Sequence, residues 1–219
     1  MEIVKGTVRA SPYLGVFALA TDDVVLLPRF VEAKELKIIE KALEVEAVKV
    51  NIVESSLIGV FMAGIGKKVV VPEMAERSEV KALEHAGLEV ESVYSTAIGN
   101  LAALNSKGGI ISPLMPEAEK KRLENFFGVK FTGMTVAGSD VPGAAIAVTE
   151  KGFIVHPNVD EKEFKKIGKI FRVNGAAGTA NYGDAFVGND VIANSKGVVV
   201  GAYTSGHELM RIDEGLRGE

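Results

Sequence analysis

The chain has 219 residues, 25 Lys+Arg against 29 Asp+Glu for a net charge of −4, and no cysteine. The missing thiols exclude disulfides, thiolate zinc sites, cysteine-ligated clusters and every cysteine nucleophile, and the near balance of charge excludes a polycationic nucleic-acid binder. With 47% hydrophobic residues the chain can bury a core without staples, and no apolar run approaches the roughly 20 residues that span a bilayer.

The N-terminus, Met1-Glu2-Ile3-Val4-Lys5, lacks the basic region and apolar segment of a signal peptide, so a cytoplasmic protein is expected. Ile3 to Val8 is a predicted strand. Val16 to Leu19 and Val24 to Leu27 follow as compact apolar runs around Thr21-Asp22-Asp23, the pattern of a hairpin that ends at Pro28. Leu36, Ile39 and Leu43 then share one face of a predicted helix, and Val48 to Val53 reads as a further strand.

This order of strand, turn, strand, helix and strand recurs along the chain. Pro28, Pro72, Pro113 and Pro157 are 44, 41 and 44 residues apart, and Gly15, Gly59, Gly99 and Gly143 precede them by 13, 13, 14 and 14 residues. Gly188 lies 45 residues after Gly143, Ala202 takes the place of a fifth proline, and Asn105-Ser106-Lys107-Gly108 recurs as Asn194-Ser195-Lys196-Gly197. Five units are therefore expected in one domain, at about 11–54, 55–94, 95–138, 139–181 and 182–219.

Later helices carry their own end signals. Ser78 is placed to cap the second and Gly87 to end it. Pro116 suits the first position of the third, which ends near Gly128. Asp160 with Glu163, and Ser205 with Glu208, are possible capping boxes. Third strands are expected at Val90 to Tyr94, Val129 to Val136 and Ile170 to Val173.

After a fifth helix at about Gly206 to Ile212, the segment 213–219 is too polar for a closing strand. The spare strand Ile3 to Val8 would complete the fifth unit instead and remove two sheet edges. The expected fold is α/β: a five-bladed propeller of ββαβ-like units closed about a pseudo-fivefold axis. A linear solenoid, the competing architecture, would need capping units that the ends do not show.

Reactive constellations are missing from the sequence. His85, His156 and His207 lie far apart without metal-ligand spacing. Asp22-Asp23, Asp140, Asp184 and Asp190 read as turn or capping residues. Gly64-Ile65-Gly66-Lys67-Lys68 and Gly175-Ala176-Ala177-Gly178 lack the strand–helix context of phosphate or dinucleotide loops. No catalytic, cofactor-binding or metal-binding residue is expected. Lys120-Lys121-Arg122 and Lys165-Lys166 with Lys169 read as solvated helix faces that touch phosphate only if the fold brings one onto a docking face. Asn100 beside Gly99, and the segment Gly178 to Ala185, combine amides with permissive glycines on loops suited to protein docking.

Taken with the five units, the motifs Gly59 to Pro72, Ala97-Ile98-Gly99-Asn100, the Pro113 and His156-Pro157 strand ends and Gly178-Thr179-Ala180-Asn181-Tyr182-Gly183 closely resemble the archaeal members of the translation initiation factor 6 family over the full chain. The resemblance implies the pentein fold and a nonenzymatic, monomeric factor on the intersubunit face of the large ribosomal subunit. There it prevents premature joining of the small subunit, with a role in subunit maturation. It further implies docking chiefly to ribosomal protein uL14, with neighbouring ribosomal protein and ribosomal RNA close by. Asn100 matches the family's asparagine, and Asn181 and Gly183 match a later Asn-x-Gly segment in which Tyr182 replaces a basic residue of eukaryotic relatives. Tyr182, Asp184 and Ser205 are candidates for the same docking region. The alternative is a pentein-fold enzyme or metabolite-binding protein without a cysteine nucleophile.

Overall fold

The computed structural model describes residues 1–218. Its described strands form five three-stranded sheets, and the first unit shows how sequence builds each of them. Leu19–Ala20 pairs antiparallel with Val25–Leu27, and Ala47–Lys49 returns parallel to that central strand after the helix Ala33–Leu43. The crossover explains the parallel pairing, because a chain that leaves one end of a strand must be carried back before it can run the same way. Ile39, Ala42 and Leu43 on the helix are buried against Val25 and Leu27 on the sheet.

The hydrophobic cores sit at the seams between units. One cluster joins Leu26 and Val50 of unit one to Val69 and Leu83 of unit two, and others join units two to three, three to four and four to five in the same manner. The remaining cluster joins Leu14, Leu27 and Ile39 of unit one to Ile192 and Val199 of unit five. Each long helix is thus shared by its own sheet and its neighbour's. Burial of such a side chain contributes about 1.5–3 kcal/mol, so the seams rather than the single units hold most of the stabilising area.

The N-terminal strand, Glu2–Gly6, pairs in parallel with Gly197–Gly201 from Glu2 opposite Gly197 to Gly6 opposite Gly201. It is the third strand of that sheet and ends before Val8. Val8 instead makes a tight exchange of backbone hydrogen bonds with Ser11. Between them Arg9 and Ala10 hold φ values of 57° and 60°, which side chains disfavour. The Glu35 carboxylate offsets this, accepting from the backbone N–H groups of Arg9 and Ala10 at 3.0 Å each and from Thr7 Oγ1 at 2.7 Å.

That device recurs in every unit. Glu79 accepts from Val53 and Glu54, Glu119 from Tyr94, Glu163 from Ala137, and Glu208 from Tyr182 and Gly183. Each glutamate sits in the first turn of its long helix. Burial alone would raise the Glu208 pKa, but hydrogen bonds from Ser205, Thr179 and Gly183 outweigh it and bring the group down to about 2.

A second repeated device stands in place of the predicted first strands. Leu14–Phe17, Ile58–Phe61, Ile98–Leu101, Pro142–Ala145 and Val187–Asp190 are single helical turns, and the strands begin after them. Their glycines meet backbone to backbone. A Cβ on Gly59 would overlap the Gly15 carbonyl oxygen, one on Gly99 that of Gly59, one on Gly143 that of Gly99, one on Gly188 that of Gly143, and one on Gly15 that of Gly188. The absent side chain is what allows this approach.

Two further expectations shift. Glu76, rather than Ser78, caps the second long helix, in a capping box with Glu79. Ile170 to Val173 is not a strand: Ile167 and Phe171 are buried on the helix Glu161–Phe171, and the strand is Asn174–Ala177. Its Asn-Gly-Ala-Ala sequence has little strand propensity, but the bare Gly175 leaves room for the Phe153 ring.

The repeated Asn-Ser-Lys-Gly turns serve the seams. Asn105 Nδ2 donates to the carbonyls of Thr149 and Phe171, tying unit three to unit four. Asn194 Nδ2 donates in the same way to Thr21 and Leu43, tying unit five to unit one, while Ser195 meets the Asp22 carboxylate.

Candidate functional site

The two ends of the units differ in chemistry. After each central strand the chain turns sharply, with hydrogen bonds Val31 N to Pro28 O, Ala75 N to Pro72 O, Met115 N to Ser112 O, Val159 N to His156 O and Thr204 N to Gly201 O. The third residue of these turns is Phe30, Met74, Leu114, Asn158 or Tyr203. Ser112 N bonds to Leu101 O and His156 N to Ala145 O, so the turns stand at the same end as the short helices.

Seven of the eight large apolar side chains exposed among the described residues cluster at this end, each 45–79% accessible. Phe30, Met74, Leu114 and Tyr203 occupy the turns, Tyr94 and Tyr182 the loops between units, and Tyr13 the start of the first short helix. An exposed Leu or Phe in isolation carries no message, whereas a patch repeated at equivalent positions marks an interaction surface. No periodicity in a single unit reveals it. The sequence signal is one large apolar residue two places after the start of four of the five turns, at Phe30, Met74, Leu114 and Tyr203.

Asn100 lies within this end, on the short helix Ile98–Leu101. Its backbone N–H bonds to Ala97 O at 3.0 Å, and its half-buried side chain makes no hydrogen bond to another described residue. Asn189 holds the equivalent place after Gly188 and is likewise half-buried with its side-chain amide uncommitted among the described residues. The Gly-Asn pair common to both short helices was the overlooked signal.

The later candidates divide by role. Tyr182 points outward at 79% exposure while its backbone N–H is held by Glu208. Gly183, with φ of 101°, gives its N–H to Glu208 at 2.8 Å. Ser205 and Glu208 form a reciprocal capping box. Asp184 Oδ1 accepts from Phe186 N at 2.9 Å. The Asn181 amide is fully engaged: its Nδ2 donates to Pro12 O at 3.1 Å and Asp190 Oδ1 at 2.6 Å, and its Oδ1 accepts from Tyr203 N at 3.2 Å. Thus Tyr182 is exposed and the Asn100 amide is uncommitted among the described residues, whereas Asn181, Asp184 and Ser205 are hydrogen-bonded within the fold.

The histidines do not converge. His85 closes the second long helix, His207 opens the fifth, and His156 Nδ1 accepts from Asn158 N at 3.1 Å with its ring against Phe186. Burial lowers the His156 pKa despite the opposing influence of Glu163 and Asp184. Among the described residues, no group of three or more potential ligands is disposed to hold a metal ion.

These features define a repeat-built α/β scaffold that offers an apolar, amide-bearing face. The eIF-6 family model matches residues 3–215, and this chain belongs to that family. It is 36% identical to translation initiation factor 6 of Pyrococcus abyssi over 224 aligned positions, covering 99% of each chain. The Pyrococcus horikoshii factor is 35% identical at the same coverage. The Methanocaldococcus jannaschii factor is 34% identical over 98% of this chain and 97% of its own.

Proposed function

We propose that this chain is a nonenzymatic initiation factor that binds the intersubunit face of the large ribosomal subunit and sterically prevents premature joining of the small subunit. The supporting observation is that a family relationship spanning residues 3–215 coincides with an exposed apolar face carrying Asn100. The factor works as a single domain of five repeats closed into a ring, a reading supported by the pairing of Glu2–Gly6 with Gly197–Gly201 and by the shared core of units five and one. A rigid body suits this task because steric exclusion needs occupancy without turnover.

Ribosomal protein uL14 is the chief partner in this reading, with neighbouring ribosomal protein and ribosomal RNA at the margins. Asn100 and Tyr182 make contact, and Gly183 allows close approach. Asn181, Asp184 and Ser205 hold the loop in its docking shape. Apolar surface at the centre of an interface supplies affinity, while a few amides fix the register. The protein acts in the cytoplasm as a monomer and also takes part in subunit maturation.

Sedimentation with purified cognate subunits tests the proposal. The factor is expected to travel with the large subunit and to reduce the joined-subunit peak as its concentration rises. Failure to cosediment with the large subunit, or undiminished joining at saturation, overturns it.

A further inference from the structure

The opposite end of the fourth unit carries a groove of about 770 Å³. One wall is the C-terminal half of the helix Glu161–Phe171, which presents Lys165 and Lys169 and then Arg172 just beyond its end; the other includes Lys107 and Lys151 from two hairpin turns. Lys165, Lys169 and Arg172 are spaced i, i+4 and i+7, so they follow one face over about 10 Å of axis. Glu150 is the single acidic residue of the lining among the described residues, and both its oxygens are engaged by Ser106. Lys107 bonds to the Glu150 carbonyl and Lys165 pairs with Glu161. Lys151, Lys169 and Arg172 are exposed and have no side-chain partner among the described residues.

We infer that this groove binds the phosphate backbone of double-helical RNA. Among the described residues, five cations against one acid give the lining a net charge of +4 in a protein whose total is −4. Their arrangement along two walls suits a linear polyanion better than a single small anion. Base stacking is not offered: Phe153 is fully buried and Phe164 is half-buried beneath the cations, so contacts fall on phosphate rather than on unstacked bases. Peptide addition to a strand edge is also disfavoured. Asn174–Ala177 is covered by the last long helix, with Arg211 Nη2 donating to Ala177 O at 3.2 Å. The inference rests on the proposed ribosomal role only for where such RNA is met; the chemistry of the groove stands apart from it.

Fluorescence anisotropy with a labelled RNA hairpin of about 16 base pairs, read from 50 to 200 mM salt, tests it. Binding should weaken steeply with salt. The variant K151E/K169E/R172E should bind at least about tenfold more weakly at 50 mM salt, with a log–log salt slope shallower by about 2–3. K34E/K37E/K41E makes the same charge change on the first long helix and should bind as wild type does. Equal losses in the two variants, no loss in the groove variant, or equal competition by polyglutamate would overturn the inference. Subunit joining is scored in parallel: wild-type protein that blocks joining yet fails to bind the hairpin refutes the groove alone, whereas hairpin binding without large-subunit binding refutes the ribosomal reading alone.

Discussion

Asn181 Nδ2 stands 2.6 Å from Asp190 Oδ1 and 3.1 Å from the Pro12 carbonyl oxygen, so one amide ties the loop into unit five to the start of unit one. Asp190 is fully buried, and its Oδ2 has no hydrogen-bond partner among the described residues. Burial is the main reason its pKa rises to about 7; the Asn181 bond opposes the rise, and the charges of Asp184 and Glu208 assist it. Between its ordinary value of 3.8 and 7, the folded state holds a proton that the unfolded state has released. Stability contributed by this group is therefore complete below that window and declines as pH rises through it. Asp190→Asn should flatten the fall in urea midpoint between pH 5 and 7.5. Parallel pH profiles for the variant and wild type would refute the assignment.

Glu208 gives the opposite sign. Its folded pKa of about 2 lies below its ordinary 4.5, so its contribution is present above pH 4.5 and lost as pH falls toward 2. Glu208→Gln keeps the shape but loses the charge that accepts from Gly183 N and Thr179 Oγ1. A loss of about 2 kcal/mol at pH 7 is expected, with a shallower acid limb in thermal unfolding. An unchanged acid limb would show that another group controls it.

Asn194→Ala removes two buried donations, to Thr21 O and Leu43 O, and leaves both carbonyls unpaired at the seam between units five and one. A cost of about 2–4 kcal/mol follows from the usual penalty for such groups. Hydrogen exchange should quicken first in Glu2–Gly6 and Gly197–Gly201. Uniform acceleration across all five sheets would contradict a local clasp.

Gly59→Ala places a methyl group against the Gly15 carbonyl. Because the obstruction is backbone, side-chain repacking cannot relieve it, and destabilisation of about 3 kcal/mol or more is expected in chemical denaturation. Gly87→Ala meets no such obstruction and should cost less, through its positive φ of 83° alone.

Phe30→Ala with Leu114→Ala truncates two exposed side chains of the apolar face. Large-subunit affinity should fall at least about tenfold while the melting temperature changes little, because neither residue is in a buried core cluster. Asn100→Ala should weaken binding similarly. An Asn181→Ala loss should instead track loop destabilisation in hydrogen exchange, which separates a contact from a support.

The fivefold recurrence of ββαβ-like sheet units was legible along the chain because apolar periodicity, turn residues and repeat spacing are local or one-dimensional signals. Pro28, Pro72, Pro113 and Pro157 announced the turns, and Gly15, Gly59, Gly99, Gly143 and Gly188 announced the unit spacing. The polar segment after Ile212 correctly excluded a closing strand, although the chain continues there as helix through Arg217. Tertiary structure alone decided what those glycines were for, why Asn-Ser-Lys-Gly recurs, and which candidate amides are already bonded within the fold. Each depends on atoms from different units meeting: Gly15 against Gly188, Asn194 against Leu43, Asn181 bonded to both Pro12 and Asp190. Hydrogen-bond satisfaction and close packing act through space, so residues that look alike as loop amides part into bonded and uncommitted groups only when the units are brought together.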